Sequence, residues 1–294
     1  MPAVPAGACR NGPELGRTKG VWRVAETSSP GRSTVSSADG GVQSLERAFL
    51  LLELMAEDGG EVALSRLAVE SGLPLSTIHR LVRTLVARGY VRQLPSRRYV
   101  LGPRLIHLGE SSSRTLGTWA RPHLSSLVDA TGETANLAML DGDRVVYVAQ
   151  VPSRHSMRMF TEVGRRVHLH CTGVGKVLLA QLPAATAREL LVRGGMPGRT
   201  PLTVTDPDEL MARLPQIAAQ GYALDDGEQE TGVRCVAVPV PGGPLMTAIS
   251  VSGPEGRVPM EGVPGIVAQL QETAAALAAE LRDDGARALN GRSS

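Results

Sequence analysis

The sequence predicts an α+β protein of two domains joined by a short helix. Apolar residues at helical spacing run from Val42 to Leu85, and a short basic hairpin follows them, which predicts a compact helical unit. Beyond residue 118, helical and strand patterns alternate without an internal repeat, which predicts one α+β domain with a mainly antiparallel sheet. A chain of 294 residues has room for about two domains of ordinary size.

Composition restricts the possible functions. The net charge is only +2, so any nucleic-acid site has to be a local feature of the chain. The three cysteines, Cys9, Cys171 and Cys235, are widely spaced and form no CxxC pair, which argues against structural zinc and a disulfide framework. No apolar run approaches the roughly 18 residues of a membrane span, and no secretory leader is apparent. We therefore expect a cytoplasmic protein that has no membrane partner.

Both ends of the chain lack hydrophobic periodicity. Residues 1–40 are rich in Pro, Gly and Ser, so we expect a disordered N-terminal tail, and residues 285–294 are expected to form a disordered C-terminal tail. The alternative for the N-terminal tail is a basic arm that touches DNA through its scattered arginines, although three acidic residues dilute its charge.

Three helices are predicted in residues 41–102. The first has apolar residues on one face, namely Leu45, Ala48, Phe49, Leu52 and Met55, and it ends at Asp58-Gly59-Gly60. Gly72 and Pro74 then separate a short second helix from a third one, at the spacing of a helix-turn-helix. Pro74 suits the first turn of the third helix, where its missing N–H costs nothing.

The third helix presents the side chains that a DNA-recognition helix needs. Its outward face carries Ser76, Thr77, Arg80 and Arg83, and short polar and Arg side chains there can contact base edges in the major groove. From Ser71 to Leu108 there are seven arginines and no Asp or Glu, which suits a phosphate backbone. The alternatives are an ordinary surface helix and a protein-interaction module that keeps only this shape.

Two short strands, Gly89–Leu94 and Arg98–Leu101, predict a wing after the third helix. Arg97 and Arg98 at its tip would reach phosphate or the minor groove, and Arg47 on the first helix is a weaker phosphate candidate. Double-stranded DNA is therefore the expected partner. Residues 103–118 are predicted to form a linker helix.

Residues 119–284 are predicted to form the second domain. We expect helices near 119–131, 173–182, 184–193, 207–220 and 261–283. Strands are expected at Thr134–Leu140, Arg144–Val151, Met157–Phe160, Arg234–Val240 and Leu245–Ser252.

The segment His168–Lys176 combines two histidines, a cysteine and two glycines before a helix. A phosphate loop is excluded, because the GxxxxGK[ST] pattern fails at its first Gly and at its Ser/Thr. A metal site lacks the ligands to complete it. We favour a ligand pocket in which Gly173 and Gly175 expose N–H groups to a carboxylate, against a plain strand-to-helix turn.

A third constellation follows near the C-terminus. Ser250 and Ser252 alternate with apolar residues and so share one sheet face, as ligand donors or as internally satisfied hydroxyls. The acidic stretch Asp225–Glu230 is a solvated loop or a part of the same site. A cysteine-dependent enzyme using Cys171 or Cys235 as nucleophile remains the alternative function, although buried cysteines are usually inert.

Taken together, these motifs resemble the isocitrate-lyase-regulator (IclR) family of bacterial transcription factors from about Val42 to about Leu281. The matching stretches are Ser44–Ala48, Gly72–Leu81, Tyr99–Gly102, His170–Lys176, Gly221–Asp225, Gly232–Cys235 and Ala248–Pro254. The resemblance implies a winged helix-turn-helix and a GAF-like effector domain. It further implies dimers or tetramers. We expect no catalytic activity and no resident cofactor or metal. The expected function is a ligand-responsive regulator, a repressor of a catabolic operon.

The resemblance also assigns an effector pocket for a small organic acid. By position it comprises Met159, Gly173, Val174, Asp225, Cys235, Ser250 and Ser252. One departure concerns Gly227, which stands where the family usually has the first Glu of a pair, so this loop or a ligand contact differs here. The stretch Ser156–Phe160 looks most like members that respond to allantoin or glyoxylate.

Overall fold

The structure is a computed structural model that describes residues 41–159, 162–242 and 245–290. The expected N-terminal tail, residues 1–40, therefore lies outside the described residues, as do residues 291–294. Among the described residues, no helix is both long and apolar enough to cross a lipid bilayer.

The N-terminal unit forms as the sequence predicts. Its elements are α1 (Gln43–Glu57), α2 (Leu64–Ser71), α3 (Leu75–Ala87), β1 (Val91–Gln93) and β2 (Tyr99–Leu101), with β1 and β2 paired antiparallel. The three helices bury one apolar face each around a small core that includes Leu51, Met55, Leu67, Ile78 and Val82. One face of α3 is buried and the other is exposed, because its 3.6-residue period places the residues between the core positions towards solvent.

The tight turn between α2 and α3 has a clear local cause. Gly72 adopts the left-handed conformation (φ +67°), and its N–H donates to the Ala68 carbonyl as a helix cap. Pro74 stands one position earlier than predicted, directly before α3, where its carbonyl accepts the N–H groups of Thr77 and Ile78. The missing N–H of Pro74 still costs nothing at this place.

The C-terminal domain is built on one antiparallel sheet. Within the described residues its strands are β3 (Thr134–Asp141), β4 (Arg144–Val151), β5 (Arg166–His168), β6 (Ala223–Asp226), β7 (Val233–Val240) and β8 (Thr247–Pro254). Their order across the sheet is β5-β4-β3-β8-β7-β6. Helix α4 (Arg104–Leu116) precedes this domain, whose α-helices in the described residues are α5 (Arg121–Thr131), α6 (Gly173–Leu179), α7 (Ala184–Gly194), α8 (Pro207–Gln220) and α9 (Val263–Asn290).

The sheet has an apolar core on each face. One face packs against α5 and α9, with Leu124, Leu137, Ile249 and Leu270 among the buried residues. The other face packs against α6, α7 and α8, and here the sheet contributes small residues such as Ala138, Ala237 and Ala248. Small side chains let α6 come close to the sheet, and that approach determines the geometry of the candidate ligand site.

One predicted strand is wrong. Residues 157–159 form no strand, while Phe160 lies outside the described residues. Side chains satisfy the carbonyls of this stretch, because Arg257 Nη2 donates to Met157 O at 3.0 Å and Thr134 Oγ1 donates to Met159 O at 3.0 Å. On the edge away from β3, the strand that pairs with β4 is β5, further along the chain.

Two other elements differ from the expectation. The stretch Ala223–Asp226 is the edge strand β6 rather than part of an acidic loop, since it pairs with Arg234–Ala237 of β7. Helix α9 continues to Asn290, six residues into the tail expected at 285–294. Alanine and leucine in that stretch have high helix propensity, which favours continuing the helix.

Candidate DNA interface and ligand site

Helix α3 exposes most of the polar face predicted from the sequence. Ser76, Arg80 and Arg83 are exposed, whereas Thr77 is half-buried. Arg47 is half-buried on α1. Ile78 anchors the opposite face of α3 in the core, so the exposed arginines are carried on a fixed element.

The charge of this surface is uncompensated. Within the described residues, none of the seven arginines between Ser71 and Leu108 forms an ion pair with a carboxylate. Nearby, Arg66 pairs with Asp58 at 2.8 Å and with Glu70 at 3.0 Å, so its positive charge offsets part of the negative charge of these two acids. The surface is therefore positive and available to a polyanion.

Arg97 at the wing tip stands in a costly backbone conformation. Its φ is +61°, the left-handed region, in a turn closed by hydrogen bonds from Arg97 N to Leu94 O and from Leu94 N to Arg98 O, both 2.9 Å. A non-glycine residue there costs about 1–2 kcal/mol. Ser96 supports the turn by donating to Glu61 Oε2 at 3.2 Å. Glycine would form this turn more easily, so an arginine here favours a role for its side chain.

Two rows of side chains cross the sheet beneath α6. The first row follows the pairs Gln150–Asn136, Asn136–Ser250 and Ser250–Ala237. The second row follows the pairs Thr134–Ser252, Ser252–Cys235 and Cys235–Asp225. Antiparallel register therefore places Asp225, Cys235 and Ser252 side by side, with Ser250 in the adjacent row, although they are far apart in sequence.

The start of α6 lies directly on these rows. A Cβ at Gly173 would stand 3.3 Å from Ala237 Cβ and 3.4 Å from Cys235 O, and one at Gly175 would stand 2.3 Å from Leu169 O. Thr172 Oγ1 caps the helix by accepting the N–H of Gly175 at 3.1 Å. Val174, next to Gly173, is fully buried. A Cβ at position 175 would clash with the backbone of Leu169, so glycine is required there, while glycine at position 173 leaves room for the close contact between helix and sheet.

Asp225 is buried and held by the backbone. It is 5% exposed, and its Oδ1 accepts the N–H groups of Glu228 at 2.8 Å and Gln229 at 3.1 Å. Burial raises the pKa of Asp225 to about 6, a larger effect than the two N–H groups and the nearby Lys176, which lower it. Because the folded protein holds this proton more tightly than the unfolded chain, stability is lost as pH rises from about 4 through 6.

A buried ion pair lies beside Asp225. Lys176 Nζ of α6 donates to Glu228 Oε1, and both residues are less than one-tenth exposed. Glu228 Oε2 is buried without a hydrogen-bond partner among the described residues. Each charge of this pair compensates the other, so Lys176 is not a free cation in the site.

Sequence reasoning missed three polar residues of this region. Gln150 Nε2 donates to Asn136 Oδ1 at 3.0 Å, and Asn136 Nδ2 lies 3.4 Å from Ser250 Oγ. Tyr147 is buried, and its pKa is raised by burial and by the nearby Cys235 and Asp225. Asn136 interrupts an apolar strand pattern, a signal that could have identified it.

Two further predicted features have defined positions. Met159 is half-buried, and its carbonyl accepts from Thr134, the register partner of Ser252. Gly227 has φ +72°, where any other residue would be strained, and its carbonyl accepts Thr200 Oγ1 at 2.7 Å. The backbone conformation of the loop after β6 therefore favours glycine at position 227, and the hydrogen bond from Thr200 holds the loop in place.

The cysteines do not have the setting of nucleophiles. Cys171 Sγ donates to Gln229 Oε1 at 2.8 Å, and burial raises the pKa of Cys171 to about 12 and that of Cys235 to about 11. Burial lowers the pKa of His170 to about 4, and its Nε2 lies 3.1 Å from Pro197 O. No cluster of three metal-ligating side chains occurs in the part of the chain that the structure describes.

We predict slow thiol chemistry for both cysteines. In a Cys9→Ser variant at pH 8, Cys171 and Cys235 should react with a disulfide reagent far more slowly in the native protein than in denaturant, because burial suppresses the thiolate. Absorbance of the released chromophore measures the rate. Rapid reaction of one thiol per native chain would contradict this expectation and favour the enzyme alternative.

Comparisons with known proteins agree with both parts of the structure. The IclR helix-turn-helix model matches residues 44–95, and the bacterial transcriptional regulator IclR C-terminal model matches residues 111–279. Transcriptional repressor IclR of Escherichia coli (strain K12) is 39% identical over 228 residues, covering 75% of this chain and 83% of that protein.

Solved structures have the same fold. The crystal structure of an IclR transcriptional regulator from Alicyclobacillus acidocaldarius is 31% identical with TM-score 0.71, over 81% of this chain and 98% of that one. An IclR homologue from Microbacterium hydrocarbonoxydans, complexed with 4-hydroxybenzoate, is 27% identical with TM-score 0.70, over 82% and 99% of the two chains. This chain therefore belongs to the IclR family of DNA-binding transcriptional regulators.

Proposed function

We propose that this regulator represses a catabolic operon by binding double-stranded operator DNA through residues 41–102. The residues that would contact DNA are Arg47, Ser76, Thr77, Arg80, Arg83, Arg97 and Arg98. The observation that carries this proposal is the arginine surface of α3 and the wing, which a stretch without acidic residues, from Ser71 to Leu108, forms. Base contacts would come from the N-terminal part of α3 and phosphate contacts from the wing and α1.

The C-terminal domain, residues 119–284, would bind a small organic acid, allantoate-like, glyoxylate-like or another carboxylate. The effector residues would be Met159, Gly173, Val174, Asp225, Cys235, Ser250 and Ser252. Support comes from the packing of the α6 start against a polar row of the sheet. The structure of the Microbacterium homologue with 4-hydroxybenzoate is consistent with an acid as the ligand class.

Self-association would connect the two functions. On α1 the apolar side chains of Leu45 and Phe49 are 57% and 61% exposed, and on α4, within the linker of residues 103–118, Ile106 is 64% exposed. Such exposed apolar side chains on α1 and α4 suit a dimer or tetramer that presents two winged units to a two-fold operator. An effector that binds one arrangement of these units better would change operator affinity. On the basis of this proposed function, we expect the protein to be cytoplasmic.

The test is binding of the purified protein to its own upstream intergenic DNA and to random DNA over a salt series. Each titration is repeated with glyoxylate, pyruvate, allantoate and 4-hydroxybenzoate. We expect tight, selective binding that one acid changes, because a differential effector shifts the equilibrium between two states. Weak binding that is equal on both DNAs at every salt concentration, unchanged by any acid, would contradict the proposal.

Two variants separate base reading from phosphate contact. Arg80→Ala should weaken operator binding by about 1–3 kcal/mol and affect random DNA less, because a base contact is lost. Arg97→Gly should weaken binding to operator and random DNA alike, because only a phosphate contact is lost. It should also reduce the slope of log affinity against log salt concentration by about one.

The Arg97→Gly variant also controls for folding. Glycine suits the left-handed position, so the melting temperature should not fall. Fluorescence anisotropy over a salt series and thermal unfolding give the two readouts. Equal losses from Arg80→Ala on operator and random DNA would remove the base-reading role from Arg80.

A further inference from the structure

The charges around Asp225 pose a problem for an acidic effector. Asp225 is 5% exposed, and the cation on the helix above it, Lys176, is paired with Glu228. With all three groups ionised, this buried cluster carries a net charge of −1. A carboxylate that enters beside it would add a second uncompensated negative charge in a region of low dielectric constant, which is strongly unfavourable.

Apart from Lys176 on α6, which is paired with Glu228, no group that faces Asp225 in the described part of the chain carries a positive charge. The remaining groups come from each surrounding element: Glu228 after β6, Cys235 on β7, Cys171 before α6 and Tyr147 on β4. The thiols and the phenol stay neutral near pH 7, because burial raises their pKa values further from neutrality. Arg165 and Arg199, on the periphery, are exposed to solvent, which screens their charge.

We propose, on the basis of the effector site above, that Asp225 receives the effector as a neutral carboxylic acid, so that a monoanionic small acid and one proton enter together. In this state Oδ1 keeps its two backbone N–H groups, while a proton on Oδ2 donates to an oxygen of the ligand. The only covalent bond that forms is the O–H bond at Oδ2, and its proton comes from solvent. The site then selects against dianions.

Asp225 has the position that such proton uptake requires. Its side chain is adjacent to Cys235, and Ser252 follows in the same row, so a ligand under α6 would meet the carboxyl group and the hydroxyl together. The pKa of Asp225 is near 6 in the absence of ligand. At neutral pH the carboxyl group is therefore mostly ionised, and it takes up one proton when the ligand binds.

Calorimetry with glyoxylate, pyruvate and 4-hydroxybenzoate tests the proposal on the full chain from pH 6 to pH 8. These probes stay monoanionic across the range, so their own ionisation cannot produce a slope. For the wild type we expect affinity to fall by up to about tenfold per pH unit above pH 6. Repeating the titration in two buffers of different ionisation enthalpy should show uptake that approaches one proton at pH 7. Oxalate, a dianion of similar size, should bind at least tenfold more weakly than glyoxylate.

Asp225→Asn is the matched variant, because its amide keeps the carbonyl acceptor and donates permanently. It should bind the same acid with no pH slope and no proton uptake. Asp129→Asn, at an exposed carboxylate paired with Arg154, is the control and should keep the wild-type slope. Thermal unfolding establishes whether both variants fold. If Asp225→Asn does not fold, proton uptake by the wild type decides whether the effector binds together with a proton.

The outcomes separate this inference from the proposed function. A pH-independent affinity of the wild type, uptake of no proton, or a full slope in folded Asp225→Asn would overturn the role of Asp225 and leave the acid-binding site intact. If none of the acids binds even at pH 6, where much of Asp225 is neutral, both the inference and the effector site fail.

Discussion

The close approach of α6 to the sheet is the constraint on which the candidate ligand site depends. Gly173 permits it, since a Cβ there would stand 3.3 Å from Ala237 Cβ, and Gly175 lets the helix pack closely on the backbone of Leu169 before it. The approach covers two polar rows of an otherwise apolar sheet and brings Lys176 over the loop that follows β6. Packing geometry, rather than any one reactive group, therefore creates the site.

Burial has opposite consequences for the two functional surfaces. On α3 and the wing, arginines remain exposed and unpaired with acids, so their charge is available to a polyanion over a long range. Beneath α6 the charges are buried: Lys176 and Glu228 compensate each other, and burial raises the pKa of the remaining acid, Asp225, to about 6. The first surface suits steering and salt-dependent affinity, and the second suits recognition of a small ligand by directed hydrogen bonds.

Much of the fold was predictable because its signals are local. The stripe of Ile78 and Val82, and the Gly72 turn, each depend on neighbours within a few residues. The missing part is non-local: β6 forms because β7 pairs with it, and residues 157–159 fail to form a strand because Arg257 and Thr134 occupy their carbonyls. Alternation with apolar residues placed Ser250 and Ser252 on one sheet face, and motif resemblance assigned them and Asp225 to the ligand site. The Asn136–Gln150 contact depends on strand register, which one sequence does not fix.

Helix α6 buries Asp225 without giving it a free cation. Carbon-13 NMR of the side-chain carboxyl of Asp225, assigned by comparison with Asp225→Asn, tests this most directly in the ligand-free protein. We expect a titration midpoint near pH 6. A midpoint near the ordinary value of about 3.9 would show that the carboxylate is solvated or compensated, and would contradict this expectation.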